Sequence, residues 1–272
     1  MIAKRHRAVH GSPLTHARPP IAARRRCPGS TGGHRGARPE RQPMLTLARL
    51  STYVDSMETR SRVPLFCGAI AGPLFTLVYL AEGATRAGYD PLRHPVSSLA
   101  LGKYGWMQTL DFLLAAALTI VFAIGVHRAS RPSTWKPLLI GLWGTALLGA
   151  GIFVTDPVGG YPAGTPDRIP NATTHGALHD YVSLAGFAVL TTACFVFARQ
   201  GSARWRLYCI LSGVAFTVTM LISSAAFGQT GQLGDLAGLF QRIAITTALS
   251  WQTVLALRLL SRTQRSETVR NG

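Results

Sequence analysis

The chain has 272 residues, 47% of them hydrophobic, with 28 Lys and Arg against 11 Asp and Glu. So high a hydrophobic content excludes a chain that is disordered throughout, and four cysteines are too few for a disulfide-stapled scaffold. The net charge of +17 would suit nucleic-acid binding, but the charge is unevenly distributed along the chain.

The first 56 residues hold much of the positive charge. Eleven of the 28 basic residues fall there, opposed by Glu40 and Asp55 alone, and residues 1–43 contain no apolar run. Such a segment cannot bury a core, so we predict that residues 1–56 are disordered and contact anionic lipid rather than nucleic acid. Met44 and Met57 are candidate translation starts, and a start at either would omit most or all of this segment.

Six apolar blocks follow, and each is long enough to cross a membrane. An α-helix rises about 1.5 Å per residue, so about 20 apolar residues span a hydrocarbon core of about 30 Å. The blocks are apolar on all sides, whereas the helices of a soluble bundle would keep a polar stripe. We predict an all-α polytopic membrane helix bundle in a domain at 57–262, followed by a cytoplasmic tail at 263–272. Its six transmembrane helices are predicted at residues 63–81, 106–127, 137–155, 179–198, 207–227 and 240–260.

The loops between the blocks alternate in charge. Twelve Lys and Arg lie on the side that holds both ends of the membrane domain, and five lie on the opposite side. Basic residues in short loops mark the cytoplasmic side of a membrane protein. The pattern therefore predicts a multi-pass protein of the cell (plasma) membrane with both termini in the cytoplasm.

Acidic residues gather on the predicted outer side. Acids contribute little to membrane topology, so their position needs another reason. We predict an outer polar cluster that binds a small molecule or a lipid. An arginine just inside the sixth block needs a partner, and we expect Asp156 or Asp180 to pair with it. The candidate binding residues are Glu82, Asp156, His175, His179, Asp180 and Arg242.

Two histidines of this cluster leave a metal site as an alternative. His175 and His179 are four residues apart, which places them on one face of a helix. With Asp156 they could hold zinc, and an open coordination position would permit hydrolysis. The pair lacks the glutamate of a His-Glu-x-x-His motif, so no general base is built in. The third alternative is a hydrogen-bonded cluster that closes the helix ends.

Motifs for other chemistries are missing from the sequence. There is no phosphate-binding loop, dinucleotide fingerprint or Gly-x-Ser-x-Gly, and no charge falls in the middle of a block, which argues against an ion-driven pump. We predict a non-enzymatic integral membrane protein without catalytic residues or a cofactor. A zinc-dependent membrane hydrolase and a structural or accessory envelope subunit are the alternatives. The sequence indicates no particular ligand or oligomeric state.

Four segments occur in a recognisable order. They are HPVSSLALGKYGWMQ after the first block, GIFVTDP closing the third, THGALHD opening the fourth and GLFQRIAI opening the sixth. Together they resemble the DUF998 family of multi-pass prokaryotic membrane proteins over residues 64–260. The resemblance implies a six-helix membrane domain, often from actinobacteria, with no established activity. It therefore carries over no catalytic residues.

Overall fold

The computed structural model describes residues 42–130, 133–167, 169–227 and 232–271. The regular secondary structure of the described residues is helical, apart from an isolated bridge between Val158 and Tyr161. A 3₁₀ helix, Val96–Ala100, lies between the first two α-helices. The α-helices are α1 (Gln42–Thr85), α2 (Gly105–Ala129), α3 (Trp135–Ile152), α4 (Thr174–Ala198), α5 (Ala203–Ala226), α6 (Gln232–Asp235) and α7 (Ala237–Asn271).

Six of these helices contain a segment long and apolar enough to cross a membrane, which confirms the predicted number. The protein is therefore a multi-pass membrane protein with an all-α fold. The spans are Arg62–Thr85, Gly105–Ala129, Trp135–Ile152, Thr174–Ala198, Ala203–Ala226 and Ala237–Arg265.

One of the two largest differences at a span boundary is at the start of the fourth span. The prediction began it at residue 179, but α4 begins at Thr174 because the Thr173 side chain caps it. The Thr173 hydroxyl accepts a hydrogen bond from the Gly176 N–H at 3.0 Å, which satisfies one of the free donors of the first turn. Ser202 caps α5 in the same way, accepting from the Trp205 N–H at 3.4 Å.

The start of α1 also differs from the prediction. The chain divides into two units, Met1–Thr46 and Leu47–Gly272, and the second carries all six spans. Residues 42–56 were predicted to be disordered, but their backbone is helical. Leucines, an alanine, an arginine and a methionine, which are good helix formers, account for much of this stretch. The rest of that prediction, residues 1–41, lies outside the described residues.

In the second unit the spanning helices pack as a ring in chain order. Helix α2 packs on α3, α3 on α4, α4 on α5, and α5 on α7. Helix α1 closes the ring between α2 and α7. Its Gly68 lies against the ring of Phe122 on α2. Towards α7, the Tyr79 hydroxyl lies 3.0 Å from the hydroxyl of Thr246.

A polar network ties three helices together inside the ring. The Trp143 indole N–H donates to Gln252 Oε1 at 3.1 Å, and Gln252 Nε2 donates to the Thr119 hydroxyl at 3.2 Å. Gln252 and Thr119 are fully buried. Hydrogen bonds of this kind hold membrane helices in register, because lipid offers no alternative partner.

The bundle has two unlike faces. The long-loop face carries the connections 86–104, 153–173 and 227–236, and the short-loop face carries the connections 130–134 and 199–202. All six residues of the predicted cluster lie in the long-loop half of the bundle.

Candidate functional site

A cavity of about 530 Å³ lies inside the ring. All six spanning helices contribute to its wall, and most of the contributing side chains are apolar. Examples are Phe75 on α1, Phe112 on α2, Leu147 on α3 and Met220 on α5. Its polar lining residues gather towards the long-loop face: Ser97, Thr155, Asp156, His179, Asp180, Ser183, Ser224 and Gln241. The cavity is thus amphipathic along its length.

His179 lines this cavity and also closes the end of α3. The side chain is 5% exposed, and its Nδ1 lies 3.2 Å from the carbonyl oxygen of Ala150 and 2.7 Å from that of Phe153. Since both neighbours are acceptors, Nδ1 must carry a proton and donate. In the neutral ring this leaves Nε2 as an acceptor. The Phe112 ring packs edge-on against the imidazole at 6.3 Å.

Asp156 fixes the beginning of α4. Its carboxylate accepts from the Thr173 N–H at 2.8 Å and from the Thr173 hydroxyl at 2.7 Å. A Cβ at Gly176 would lie 2.0 Å from Asp156 Oδ2, so only glycine fits there. A carboxylate at a helix N-terminus is favoured by the free N–H groups of the first turn.

His175 does not join His179 in a common site. His175 is exposed and packs on the ring of Phe153 at 5.9 Å, whereas His179 is buried under α3. Within the described ranges, no group of three His, Cys, Asp or Glu side chains could hold a metal ion. The set of His175, His179 and Asp156 suggested for zinc is therefore not brought together.

Arg242 binds backbone rather than a carboxylate, so the predicted pairing with Asp156 or Asp180 is wrong. Its guanidinium is 9% exposed and donates to the carbonyl oxygens of His94 and Gly238, each at 3.0 Å. It also donates to the Pro91 carbonyl and to the Tyr89 hydroxyl. Carbonyl groups of the loop 86–104 point towards the guanidinium and accept its hydrogen bonds. These hydrogen bonds anchor the loop to α7.

His94 joins two loops of the long-loop face. Its Nδ1 accepts from the Asp90 N–H at 2.8 Å, so the proton lies on Nε2, which donates to the Gly159 carbonyl at 3.0 Å. Burial lowers the pKa of His94 and raises the pKa of Tyr89 to about 12. Both rings are therefore neutral near pH 7.

Arg93 links the same two loops to α6. Its guanidinium lies 2.9 Å from Asp167 and 3.5 Å from Asp235. Three connections of the long-loop face thus meet at one arginine. The cavity is covered by a loop layer held together by Arg93, His94 and Arg242.

Glu82 lies apart from the cavity, at the end of α1. It is buried and paired with Arg86, but its Oε1 has no hydrogen-bond partner among the described residues. The same holds for Asp111 Oδ1 and Gln108 Oε1 on α2. Gln108 Nε2 donates to Asp111 Oδ2 at 3.4 Å. Glu82, Gln108 and Asp111 form a separate polar group that does not line the cavity.

The predicted cluster therefore divides. Asp156, His179 and Asp180 line the cavity, while Arg242, Glu82 and His175 have other surroundings. Sequence reasoning missed Gln241, which lines the cavity and accepts from the Val96 N–H at 2.8 Å through Oε1. A polar residue in the first turns of an apolar block was the signal that could have found it.

A comparison with known protein families gives a match over most of the chain. A family model described as a protein of unknown function, DUF998, matches residues 69–258, which include parts of all six spans. No curated protein matches the chain, nor does any solved structure. Because the family model matches more than half of the sequence, this chain belongs to the DUF998 family.

Proposed function

We propose that this membrane protein binds an amphipathic molecule with a single hydrocarbon chain. The chain lies in the cavity and the polar head lies at its long-loop end. The observation that carries the proposal is the cavity of about 530 Å³, with apolar walls and polar groups at one end. This volume is typical of ligand pockets, and a few polar groups in an apolar site fix a ligand's orientation.

The wall between α4 and α5 supports entry from the bilayer. The two helices touch through Thr191 and Thr217, whose hydroxyls are 3.0 Å apart, and through the rings of Phe187 and Phe216. Nearer the long-loop face, Leu184 lines the cavity and is 65% exposed. A hydrocarbon chain could pass between lipid and cavity at this point.

The polar end favours a head group that donates hydrogen bonds. Asp156 and Asp180 both line this end, and the described residues offer no hydrogen bond to the Asp180 carboxylate. An uncharged hydroxyl head or an amine would satisfy it, whereas a carboxylate or phosphate head would be repelled. The proposed ligand therefore carries hydroxyl or amine groups.

The charge of the loops indicates which side of the membrane the polar end of the cavity faces. Twelve basic residues lie on the short-loop side and five on the long-loop side, so the proposed orientation has both termini in the cytoplasm. In the plasma membrane, the polar end of the cavity then faces outward. The ligand would be taken from or delivered to the outer leaflet.

A pair of probes with the same chain tests the proposal. Purified protein is mixed with a monoacylglycerol or with the corresponding fatty acid, and bound molecules are counted by native mass spectrometry. We expect the monoacylglycerol to bind about tenfold more tightly, because the carboxylate of the fatty acid is repelled by the negative charges of Asp156 and Asp180. Asp180→Asn should reduce that preference.

Two bulky variants locate the binding. Ser183→Phe fills the cavity, while Ala185→Phe adds the same ring to an exposed position on the same helix. The cavity variant should lose the monoacylglycerol and the control should retain it, with both eluting like the native protein in size exclusion. Equal retention by the two folded variants would place the ligand elsewhere and refute the proposal.

A further inference from the structure

A second pocket, of about 150 Å³, lies at the opposite end of the bundle, on the short-loop face. The ends of α2, α3, α4, α5 and α7 surround it, with Ala129, Phe197 and Trp205 among its walls. Among the described residues that line the pocket, three carry cationic side chains and none carries a carboxylate. The cations are Lys136, Arg258 and Arg262.

Lys136 is held inside the pocket. Lysines at membrane surfaces normally extend their ammonium groups into water, but Lys136 is 8% exposed. Its ammonium lies 5.3 Å from the centre of the Phe197 ring and donates to Gln200 Oε1. The charge is thus partly removed from water, and the described residues of the pocket provide no acidic partner.

Arg258 contributes an unused donor. Its guanidinium stacks on the indole of Trp205 at 4.6 Å, which fixes its orientation. Its Nε is buried and finds no acceptor among the residues that the structure describes. A buried donor without an acceptor is costly, so an acceptor supplied from outside the chain would be bound favourably.

Membrane topology alone does not explain these features. The positive-inside rule accounts for basic residues on this face, but it is satisfied equally well by exposed ones such as Arg204 and Arg206. It requires neither the burial of Lys136 nor the stacking of Arg258. Basic pockets between membrane helices on the cytoplasmic side are suited to phosphate groups of lipids.

We propose that this pocket binds a phosphate group, carried by the head group of an anionic phospholipid or free in solution. The pocket lies at the helix ends, where Trp135 is 68% exposed, as is typical of side chains at the level of lipid head groups. Lys136 and Arg258 place two positive charges in one pocket, which suits the negative charge of a phosphate, and the guanidinium of Arg258 supplies directed donors. This site is independent of the cavity at the long-loop end.

Lipid binding to the full-length protein tests the proposal. Native mass spectrometry compares phosphatidylglycerol with phosphatidylcholine of the same acyl chains, and we expect phosphatidylglycerol to bind about tenfold more tightly. Arg258→Gln removes one cation, and Ser130→Leu fills the pocket while keeping every charge. Both should abolish the preference. Arg206→Gln, which makes the same charge change at an exposed position outside the pocket, should keep it.

Each outcome decides the matter. An equal loss in Arg206→Gln and in the two pocket variants would show that the charge of the face, rather than the pocket, attracts the lipid, and would overturn the proposal. Equal binding of both lipids by the native protein, without stabilisation by inorganic phosphate, would also overturn it. If Arg258→Gln does not elute like the native protein, Ser130→Leu decides alone.

A competition arm identifies the source of the phosphate. Free phosphate is the ligand if excess inorganic phosphate displaces phosphatidylglycerol from the native protein. It should then also raise the melting temperature of Arg206→Gln but not that of Ser130→Leu. Phosphatidylglycerol that stays bound in excess phosphate identifies the lipid.

Discussion

At the scale of residues, the polar side chains of the long-loop face mainly satisfy backbone groups. Arg242 binds loop carbonyls, His179 binds the last carbonyls of α3, and Asp156 binds the N–H of Thr173. Backbone groups at membrane depth must be paired within the protein, since lipid provides no partner. The first explanation for a polar residue near a helix end is therefore the backbone N–H or C=O group to which it is hydrogen-bonded.

The position of these residues was predictable from the sequence, but their partners were not. Asp156 and Asp180 were both expected to line a polar site, and both lie at the cavity. Arg242 was expected to bind one of them because an arginine near the membrane needs compensation. The compensation comes from carbonyls of the loop 86–104, and no pattern in the sequence indicates which way those carbonyls turn.

Replacing Arg242 tests the anchoring of this loop. Arg242→Met removes the guanidinium that donates to the carbonyls of Pro91, His94 and Gly238. We expect it to lower the free energy of unfolding by about 3 kcal/mol, measured by thermal unfolding in detergent. Arg93→Met is the control, because its ion pairs are more exposed and should contribute less than about 1 kcal/mol. Equal losses in the two variants would contradict the anchoring role.

His94 makes the stability of the same loop dependent on pH. Burial lowers the pKa of His94 despite the nearby charge of Asp90. The unfolded chain therefore binds the proton more readily, and stability falls as the pH drops below about 6.5 towards the folded-state pKa. The slope contributed by one group cannot exceed about 1.4 kcal/mol per pH unit.

The His94 contribution can be isolated by substitution. In His94→Gln the free energy of unfolding should vary less with pH between about 6.5 and 5, where the imidazole would titrate. His175→Gln removes an exposed imidazole instead and should leave the pH slope of the native protein unchanged. A slope in His94→Gln as steep as in the native chain would rule out this residue as the source.

At the scale of elements, the spans were predictable because length and hydropathy define them. The core of each apolar block lies within the corresponding helix, and the differences fall at the ends. Helix α3 ends at Ile152 and not at residue 155, and α4 begins at Thr174, within a polar stretch. Both ends are set by local hydrogen bonds, of Phe153 to Gly149 and of Gly176 to Thr173, which a hydropathy pattern cannot resolve.

Glycine positions decide how closely the helices approach. A Cβ at Gly72 would lie 2.8 Å from the carbonyl oxygen of Leu249, a backbone atom that cannot turn away. A Cβ at Gly141 would meet only the Cβ of Ala123 at 3.8 Å, an ordinary contact. The two glycines look alike in the sequence. Gly72 allows α1 to approach the backbone of α7 closely, whereas the space at Gly141 would admit a Cβ.

The matched pair of alanine variants measures that difference. Gly72→Ala should force α1 away from α7 and cost about 1–3 kcal/mol of stability in thermal unfolding. Gly141→Ala should be neutral or stabilise by about 0.5 kcal/mol, because alanine restricts the unfolded chain and favours helix. Similar melting temperatures for the two variants would show that α1 adapts without cost.

At the scale of the whole molecule, the ring of six helices carries a polar-ended cavity at one face and a basic pocket at the other. The two sites differ in sign of charge: Asp156 and Asp180 line the first, and Lys136 and Arg258 line the second. This asymmetry matches the unequal distribution of basic residues between the two faces. A fixed orientation in the membrane therefore presents each site to a different side.

Labelling with a membrane-impermeant thiol reagent tests that orientation. Asn171 is exposed in the loop 153–173, and Arg204 is exposed at the start of α5 on the opposite face. Asn171→Cys should react in intact cells, and Arg204→Cys should react after lysis alone, because the basic short loops are retained in the cytoplasm. The native chain, whose Cys194 and Cys209 are buried, gives the background. The reverse pattern would place the basic pocket outside the cell and the polar end of the cavity in the cytoplasm, which would contradict the proposed exchange of the ligand with the outer leaflet.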